Sequence, residues 1–211
     1  MAVRIWYTDT ERIHAETAAL IWKRSQRIDE VQPIRYRQQA DRLRHQAGIV
    51  MAAELVEIPD ALPLTVSRGT FGKPFFQTYP EIHFNISHSG RFVVCAVDDA
   101  PVGADIQEPA YLPPESWHLF MTDDERQHCS SPEQALRLWS AKEAVSKCIG
   151  AGFLRTIPTV GILGSFVEMR MIQHENTNLF LWQQRFAGDY ILSAAFCTSE
   201  TPSVHQFEFV P

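Results

Sequence analysis

Three charged side chains in the second half of the chain have the types that phosphate chemistry requires. Asp105 lies within the apolar run VGADI at residues 102–106, and Glu143 precedes Lys147 by four residues. A buried unpaired charge costs several kcal/mol, so Asp105 should meet a metal ion, a cationic side chain or backbone donors. The glutamate and lysine, taken alone, also fit a solvent-exposed helix pair that adds roughly 0.2 to 0.5 kcal/mol. Other parts of the sequence must decide between these interpretations.

The pattern from Leu136 to Phe153 predicts one helix that would position the glutamate and the lysine. Ser131 can cap its N-terminus, and Gly150 follows the last apolar residue as a stop signal. At 100° per residue the charged pair projects from the side opposite an apolar stripe. The stripe consists of Leu138, Ala141, Val145, Cys148 and Ile149.

Side chains elsewhere could contact an anion. Lys73 lies beside Pro74 in the glycine-punctuated run RGTFGKPFF, where a rigid turn could present its ammonium. Ser87 and His88 end a predicted strand, and no acidic residue lies at a spacing that fits a Ser-His-Asp triad. We therefore interpret Ser87 and His88 as ligand contacts.

The segment from Arg35 to Arg44 belongs to the most basic part of an acidic chain. Either a solvated helix face or a phosphate site would explain this charge. The overall formal charge of −6 argues against duplex nucleic acid as a partner.

Composition limits the class of protein. The chain has 211 residues, 45% of them apolar, which suits one large domain or two small ones that share a core. The four cysteines are far apart and show no metal-ligand spacing, so we expect reduced core residues. No run approaches the ~18 apolar residues that span a bilayer, and we expect a soluble, cytoplasmic monomer without a membrane partner.

The order of elements predicts an α+β fold with two similar lobes. A helix over Arg35–Ile58 precedes strands in residues 1–100, and a helix over Pro132–Ile149 precedes four strands between residues 166 and 210 in the second lobe, residues 101–211. We see no convincing residue-level repeat. A cleft between the lobes would bring their charged side chains opposite each other.

Four motifs together resemble the two-lobed 4′-phosphopantetheinyl transferases. They are GKP at 72–74, FNISHS at 84–89, VGADI at 102–106 and WSAKEAVSK at 139–147. Asp41 and Arg44 also resemble a DxxR element of this family, so the likeness covers roughly residues 32–152. It implies two lobes related by a pseudo-twofold axis, each with a long helix on an antiparallel sheet. It also implies Mg²⁺-dependent transfer of the phosphopantetheine arm of coenzyme A to a serine of an apo acyl or peptidyl carrier protein, with release of 3′,5′-ADP.

The resemblance assigns roles to individual residues. Asp105 and Glu143 would hold Mg²⁺, with Glu143, directly or through a metal-bound water, as the base and Lys147 stabilising or protonating the leaving phosphate. Contacts to coenzyme A would come from Lys73, Ser87, His88 and Lys147, and from Arg35 and Arg44 in the nucleotide-binding segment.

One position departs from the family pattern. Many members place a third acid two residues after the aspartate, but this chain has Gln107 there. Strand alternation puts Gln107 on the same side as Asp105, and its amide oxygen can ligate a metal without adding charge. The number of protein ligands to the metal therefore stays open.

Carrier docking is expected near Pro109–Met121, where Trp117, Phe120 and Met121 form an apolar cluster. A metal-dependent phosphohydrolase would use the same charged residues but would not need this segment. A non-catalytic carrier-binding module would not need Glu143 and Lys147 together. Nothing in the sequence selects among fatty-acid, polyketide and nonribosomal-peptide carriers.

Overall fold

Eleven strands and four α-helices occur in the parts of the chain that the computed structural model describes, residues 2–31, 33–56, 64–150, 152, 161–162, 169–174 and 177–210. In chain order the elements are β1 Ala2–Asp9, α1 Ala15–Ser25, β2 Ile28–Glu30, α2 Gln39–Leu55, β3 Leu64–Arg68, β4 Pro74–Phe76, β5 His83–Ser89, β6 Phe92–Asp98, β7 Val102–Gln107, α3 Asp123–His128, α4 Pro132–Ile149, β8 Met169–His174, β9 Thr177–Phe186, β10 Tyr190–Phe196 and β11 Ser203–Glu208. Short 3₁₀ helices lie at Thr10–Arg12 and Pro114–Leu119. Each of the described helices is too short or too polar to cross a lipid bilayer.

The strands form two four-stranded sheets and a small three-stranded one. The first large sheet has the order β11-β1-β6-β5, and the second has the order β7-β10-β9-β8. The second sheet is antiparallel throughout, whereas β1 pairs in parallel with β11. The last strand of the chain therefore joins the sheet of the first half. The boundary between residues 1–100 and 101–211 stays a prediction.

A long helix covers one face of each large sheet. Helix α2 packs on β5 and β6, and α4 packs on β7 and β10. A further apolar core, with Ile5, Val94, Ile106 and Leu192 among its members, brings residues of both sheets together. The predicted α+β class with two helix-on-sheet units is confirmed, and the two units share a core.

Local sequence signals determine where α4 begins and ends. The Ser131 hydroxyl accepts a hydrogen bond from the Gln134 amide at 3.2 Å, and Pro132 occupies the first turn. Gly150 ends the helix in the left-handed region with φ 71°. Helix α2 begins at Gln39 rather than at Arg35, and its predicted extension to Ile58 lies outside the described residues.

A ladder of side chains joins β5 to β7 across the boundary between the two large sheets. Alternate residues of FNISHS point to one side of β5, and three of them accept hydrogen bonds from backbone amides of β7 or of the residue that follows it. These are Asn85 from Ala104 at 2.9 Å, Ser87 from Ile106 at 3.4 Å and Ser89 from Glu108 at 2.9 Å. The ladder places Ser87 beside Asp105.

Gly103 of β7 lies directly against α4. A Cβ atom at this position would collide with the carbonyl oxygen of Ala144 and the backbone of Cys148. Only glycine allows this approach, which brings the strand with Asp105 into backbone contact with the helix that carries Glu143.

Candidate active site

A cleft of ≈ 360 Å³ opens between the two helix-on-sheet units. Its walls come from both halves of the chain, as the predicted arrangement requires. Among the lining residues are Tyr36, His45, Lys73, His88, Glu143 and Lys147.

Asp105 is the buried centre of this site. Its Oδ1 atom accepts hydrogen bonds from Lys147 Nζ at 2.6 Å and from Ser87 Oγ at 3.0 Å. Lys147 Nζ also donates to Ser87 Oγ at 3.1 Å. The cationic partner that Asp105 needs is therefore Lys147, and the three side chains lie within hydrogen-bonding distance of one another.

Glu143 lies one helical turn before Lys147, and its carboxylate is 3.9 Å from the Lys147 ammonium. Burial raises the pKa of Glu143 to about 7, and the charge of Asp105 raises it further against the opposing effect of Lys147. A carboxyl group with a pKa near neutrality can accept a proton at physiological pH. The solvent-exposed interpretation of this pair does not hold, because the glutamate is held in a cleft beside a second acid.

Gln107 contacts the remaining oxygen of Asp105. Its Nε2 atom donates to Asp105 Oδ2 at 2.9 Å. This bond directs the amide nitrogen toward the acid and leaves the amide oxygen available as a neutral donor atom.

The oxygen atoms of Asp105, Glu143 and Gln107 are the ligand type that a hard divalent cation prefers. Within the described ranges no group of three or more His, Cys, Asp or Glu side chains is arranged to hold a metal. Mg²⁺ does not need such a group, because it commonly binds one or two carboxylates and takes its other ligands from phosphate and water. The ammonium of Lys147 already contacts both Asp105 and Glu143, so this position favours a cation.

His88 lies in the cleft among positive groups. Burial lowers its pKa, and the charges of Arg44 and Lys147 lower it further, against the effect of Asp41. A neutral imidazole can donate one hydrogen bond to an anion without a charge of its own.

The two arginines expected near a nucleotide differ in their surroundings. Arg44 Nη1 donates to Asp41 at 2.9 Å, and its Nη2 donates to the Gly90 carbonyl at 2.7 Å. Arg35 is exposed and borders a neighbouring hollow of ≈ 680 Å³ that shares Tyr36 with the cleft. Contact of either arginine with a nucleotide stays a prediction.

Lys73 lines the cleft, but its ammonium contacts the protein backbone. Nζ donates to the carbonyl oxygens of Val102 at 2.9 Å and Cys148 at 3.0 Å. Burial lowers the pKa of Lys73. Its expected contact with a phosphate is untested.

Sequence reasoning missed a buried ion pair next to the site. Lys142 lies in the same motif as Glu143, and its Nζ atom is 2.6 Å from Glu125 Oε2. The two side chains have no solvent exposure. The capping signal from Thr122 to Glu125 was visible in the sequence, but nothing local indicated that Glu125 also meets a lysine on another helix.

Sequence reasoning also missed a triad on the other wall of the cleft. His45 Nε2 lies 2.7 Å from Glu30 Oε1, and Arg68 Nη2 lies 3.3 Å from Glu30 Oε2. The three residues come from α2, β2 and β3, so only the tertiary fold brings them together.

The apolar cluster expected to dock a carrier is mostly core. Phe120 is 2% exposed and Met121 is 5% exposed, so both are wrong as direct docking contacts. They pack against α4 because the 3₁₀ turn before them directs their side chains inward. The exposed large hydrophobic side chains of the segment are Tyr111, at 68%, and Leu119, at 63%.

Comparison with known proteins gives one consistent family. Residues 101–195 match the model of the 4'-phosphopantetheinyl transferase superfamily. A 4'-phosphopantetheinyl transferase of Bacillus subtilis is 38% identical over 98 residues, which are 43% of this chain and 44% of that protein.

Two further relatives show similar identity. The 4'-phosphopantetheinyl transferase psf-1 of Bacillus pumilus is 38% identical over 128 residues, 56% of this chain and 54% of its own. The transferase Sfp of Bacillus subtilis strain 168 is 34% identical over 99 residues, 44% of each chain. The chain spans about half the length of the curated relatives it matches. The resemblance that the four motifs indicated is confirmed.

Proposed function

We propose that this chain, which over residues 101–195 belongs to the 4'-phosphopantetheinyl transferase superfamily, transfers the 4′-phosphopantetheine arm of coenzyme A to a serine of an apo carrier protein. The observation that carries the proposal is the cluster of Asp105, Ser87, Lys147 and Glu143, of which Lys147 and Glu143 line the cleft between the two helix-on-sheet units. In the transfer, the serine oxygen forms a bond to the phosphorus nearest the pantetheine. The bond from that phosphorus to the bridging oxygen breaks, and 3′,5′-ADP leaves.

The charged residues supply the positioning and proton acceptance that this reaction requires. Glu143, whose pKa lies at about 7, is the group that accepts the proton of the serine hydroxyl. Lys147 is one turn away and stabilises negative charge on the leaving phosphate. Neutral His88 donates a hydrogen bond to a phosphate oxygen, as would the Ser87 hydroxyl once its proton turns away from Asp105, and these bonds orient coenzyme A for attack.

Asp105 and Glu143 would hold Mg²⁺, with the amide oxygen of Gln107 as a neutral third donor. Bound there, the metal neutralises charge on the pyrophosphate.

The carrier partner is an acyl or peptidyl carrier protein that docks near Pro109–Met121. Tyr111 and Leu119 support this part of the proposal, because both expose apolar surface in a segment that leads from β7 into the 3₁₀ turn before α3.

Mass spectrometry of purified apo carriers tests the function. Fatty-acid, polyketide and nonribosomal-peptide carriers, each incubated with coenzyme A and Mg²⁺, should include at least one that gains a single phosphopantetheine unit at its serine. EDTA should stop the gain, and Glu143→Gln should nearly abolish it. A panel without any modified carrier would refute the proposal, and rapid release of 3′,5′-ADP without a carrier would favour hydrolysis instead.

A further inference from the structure

The ammonium of Lys73 lies where two elements of the active site cross. Its carbonyl partner in β7, Val102, precedes Asp105 by three residues, and its partner in α4, Cys148, directly follows Lys147. Lys73 itself comes from the GKP turn of the first lobe. One side chain therefore joins three parts of the chain at the base of the cleft.

The Cys148 carbonyl belongs to the last turn of α4, where carbonyl oxygens have no partner within the helix. A cation at this end of a helix is stabilising, because the helix dipole is negative there. The Lys73 stem lies along the same end: a Cβ at Gly150, the C-cap residue, would be 3.5 Å from Lys73 Cδ. Ammonium and stem together cover the C-terminus of α4.

At the point where they cross, β7 and α4 are already in backbone contact. Gly103 follows Val102 and is in backbone contact with Cys148, so β7 and α4 cannot approach more closely there. Apolar contact alone would still allow the two elements to slide past each other. Two directional hydrogen bonds from one ammonium prevent this sliding.

We propose that Lys73 is a positioning residue: its ammonium ties the start of β7 to the end of α4 and so fixes the distance between Asp105 and Lys147, without contacting a phosphate of coenzyme A. The proposal deepens the proposed function, on which it rests for its catalytic consequence. An ammonium that donates to two backbone carbonyls has used two of its three donors, so moving it toward a phosphate would compete with the bonds to β7 and α4.

Two substitutions of Lys73 separate positioning from phosphate contact. Lys73→Met keeps the stem and removes the ammonium, whereas Lys73→Arg keeps the charge and would serve a phosphate equally well. A guanidinium is planar and larger, so it does not fit between the two carbonyls. Lys23→Met, a change at an exposed lysine of α1 outside the cleft, is the matched control and should leave every measurement within about twofold.

Both Lys73 variants should lower kcat by at least about tenfold while the Kd of coenzyme A, measured by calorimetry without carrier, changes by less than about threefold. Backbone amides of Val102–Gln107 and of the last turn of α4 should exchange with solvent at least about tenfold faster. Retained activity in Lys73→Arg, together with a Kd raised tenfold or more in Lys73→Met and unchanged exchange, would overturn the proposal.

A measurement on the unsubstituted protein covers the case in which a variant does not fold. The chain has only four lysines, Lys23, Lys73, Lys142 and Lys147, so ¹⁵N-lysine labelling should resolve the ammonium signals. The Lys73 ammonium should exchange slowly and keep its chemical shift when 3′,5′-ADP is added. A large shift on addition would identify a phosphate ligand and overturn the proposal. If the protein neither binds coenzyme A nor modifies a carrier, the proposed function fails, while slow exchange of this ammonium would still establish its bonds to β7 and α4.

Discussion

Replacing either lysine of the motif WSAKEAVSK by methionine should impair the protein, but for Lys142 the loss should be in stability and for Lys147 in kcat. Lys142 has no solvent exposure and donates to Glu125 at 2.6 Å and to the Phe120 carbonyl at 2.7 Å. The Glu125 carboxylate also accepts from the backbone amides of Thr122 at 2.8 Å and Ile162 at 2.7 Å. The pair therefore ties α4 to α3, and the bond to Phe120 ties α4 to the turn before α3.

Lys142→Met leaves the Glu125 carboxylate buried without its cation. Breaking a buried pair in this way destabilises a protein by about 3 to 5 kcal/mol, since the remaining charge is still removed from water. For a chain of this size each kcal/mol lowers Tm by about 2 to 4 °C, so we expect a decrease of roughly 6 to 20 °C. Because Lys142 does not reach the cleft, the folded fraction should keep kcat within about fivefold of the wild-type value.

The assay combines thermal unfolding, followed by circular dichroism, with single-carrier kinetics well below Tm. Adding Glu125→Gln to Lys142→Met should recover part of the lost Tm, because the amide carries no charge and its oxygen still accepts from one of the two backbone amides. Lys147→Met is the comparison and should lower kcat by at least ~10²-fold, about 2.7 kcal/mol. An unchanged Tm together with a large loss of kcat in Lys142→Met would refute this reasoning and place Lys142 in the reaction.

The other predictions concern the metal site, pH and docking. Asp105→Ala should lower kcat/KM by at least ~10²-fold, whereas Gln107→Ala should lose less than about tenfold because water can replace a neutral ligand; Mg²⁺ titrations of the transfer rate check this, and equal losses would contradict it. The pKa of Glu143 in the folded protein, about 7, lies above its ordinary value of 4.5. In the metal-free protein the contribution of Glu143 to stability is therefore fully present below pH 4.5 and is lost as pH rises through about 7. Urea unfolding should show that the free energy of unfolding decreases between pH 5 and pH 8, and this decrease should be about 3 kcal/mol smaller in Glu143→Gln than in the wild type. An identical pH dependence in the two proteins would contradict this prediction. Tyr111→Ser should raise the KM for the carrier more than the KM for coenzyme A, whereas Phe120→Ala should lower Tm; steady-state kinetics in which Tyr111→Ser raises both KM values equally would remove this residue from the docking surface.

Local signals predicted α4 and its ends because a cap, a first-turn proline and a left-handed glycine act within a few residues. Asp105 was predictable in a weaker sense. A carboxylate in an apolar strand must have a partner, but strand sequence does not say which one. The resemblance to a family narrowed the choice to a metal, and the structure adds Lys147, Ser87 and Gln107.

The contacts that sequence could not predict join residues far apart in the chain. FNISHS shows alternation, which indicates a strand with a polar face. It does not indicate that side chains on this face accept hydrogen bonds from the backbone amides of another strand, because that depends on how the two sheets pack together. Lys73 shows the same limit: a lysine next to Pro74 fits an exposed turn or an anion site, and only the tertiary fold brings one carbonyl of β7 and one of α4 to its ammonium.

Polar contacts at three points hold α4 along its length, and Glu143 and Lys147 lie between the last two of these points. Near the N-terminal half, the Ser140 hydroxyl lies 2.8 Å from that of Ser193, the residue of β10 that pairs with Asp105. In the middle, Lys142 reaches Glu125, and at the end the backbone accepts from Lys73. Apolar packing fixes which face of a helix is buried, whereas directional hydrogen bonds fix its position along the axis. Because Ser193 stands opposite Asp105, the first contact ties the axial position of α4 to the very residue that its charged side chains must meet.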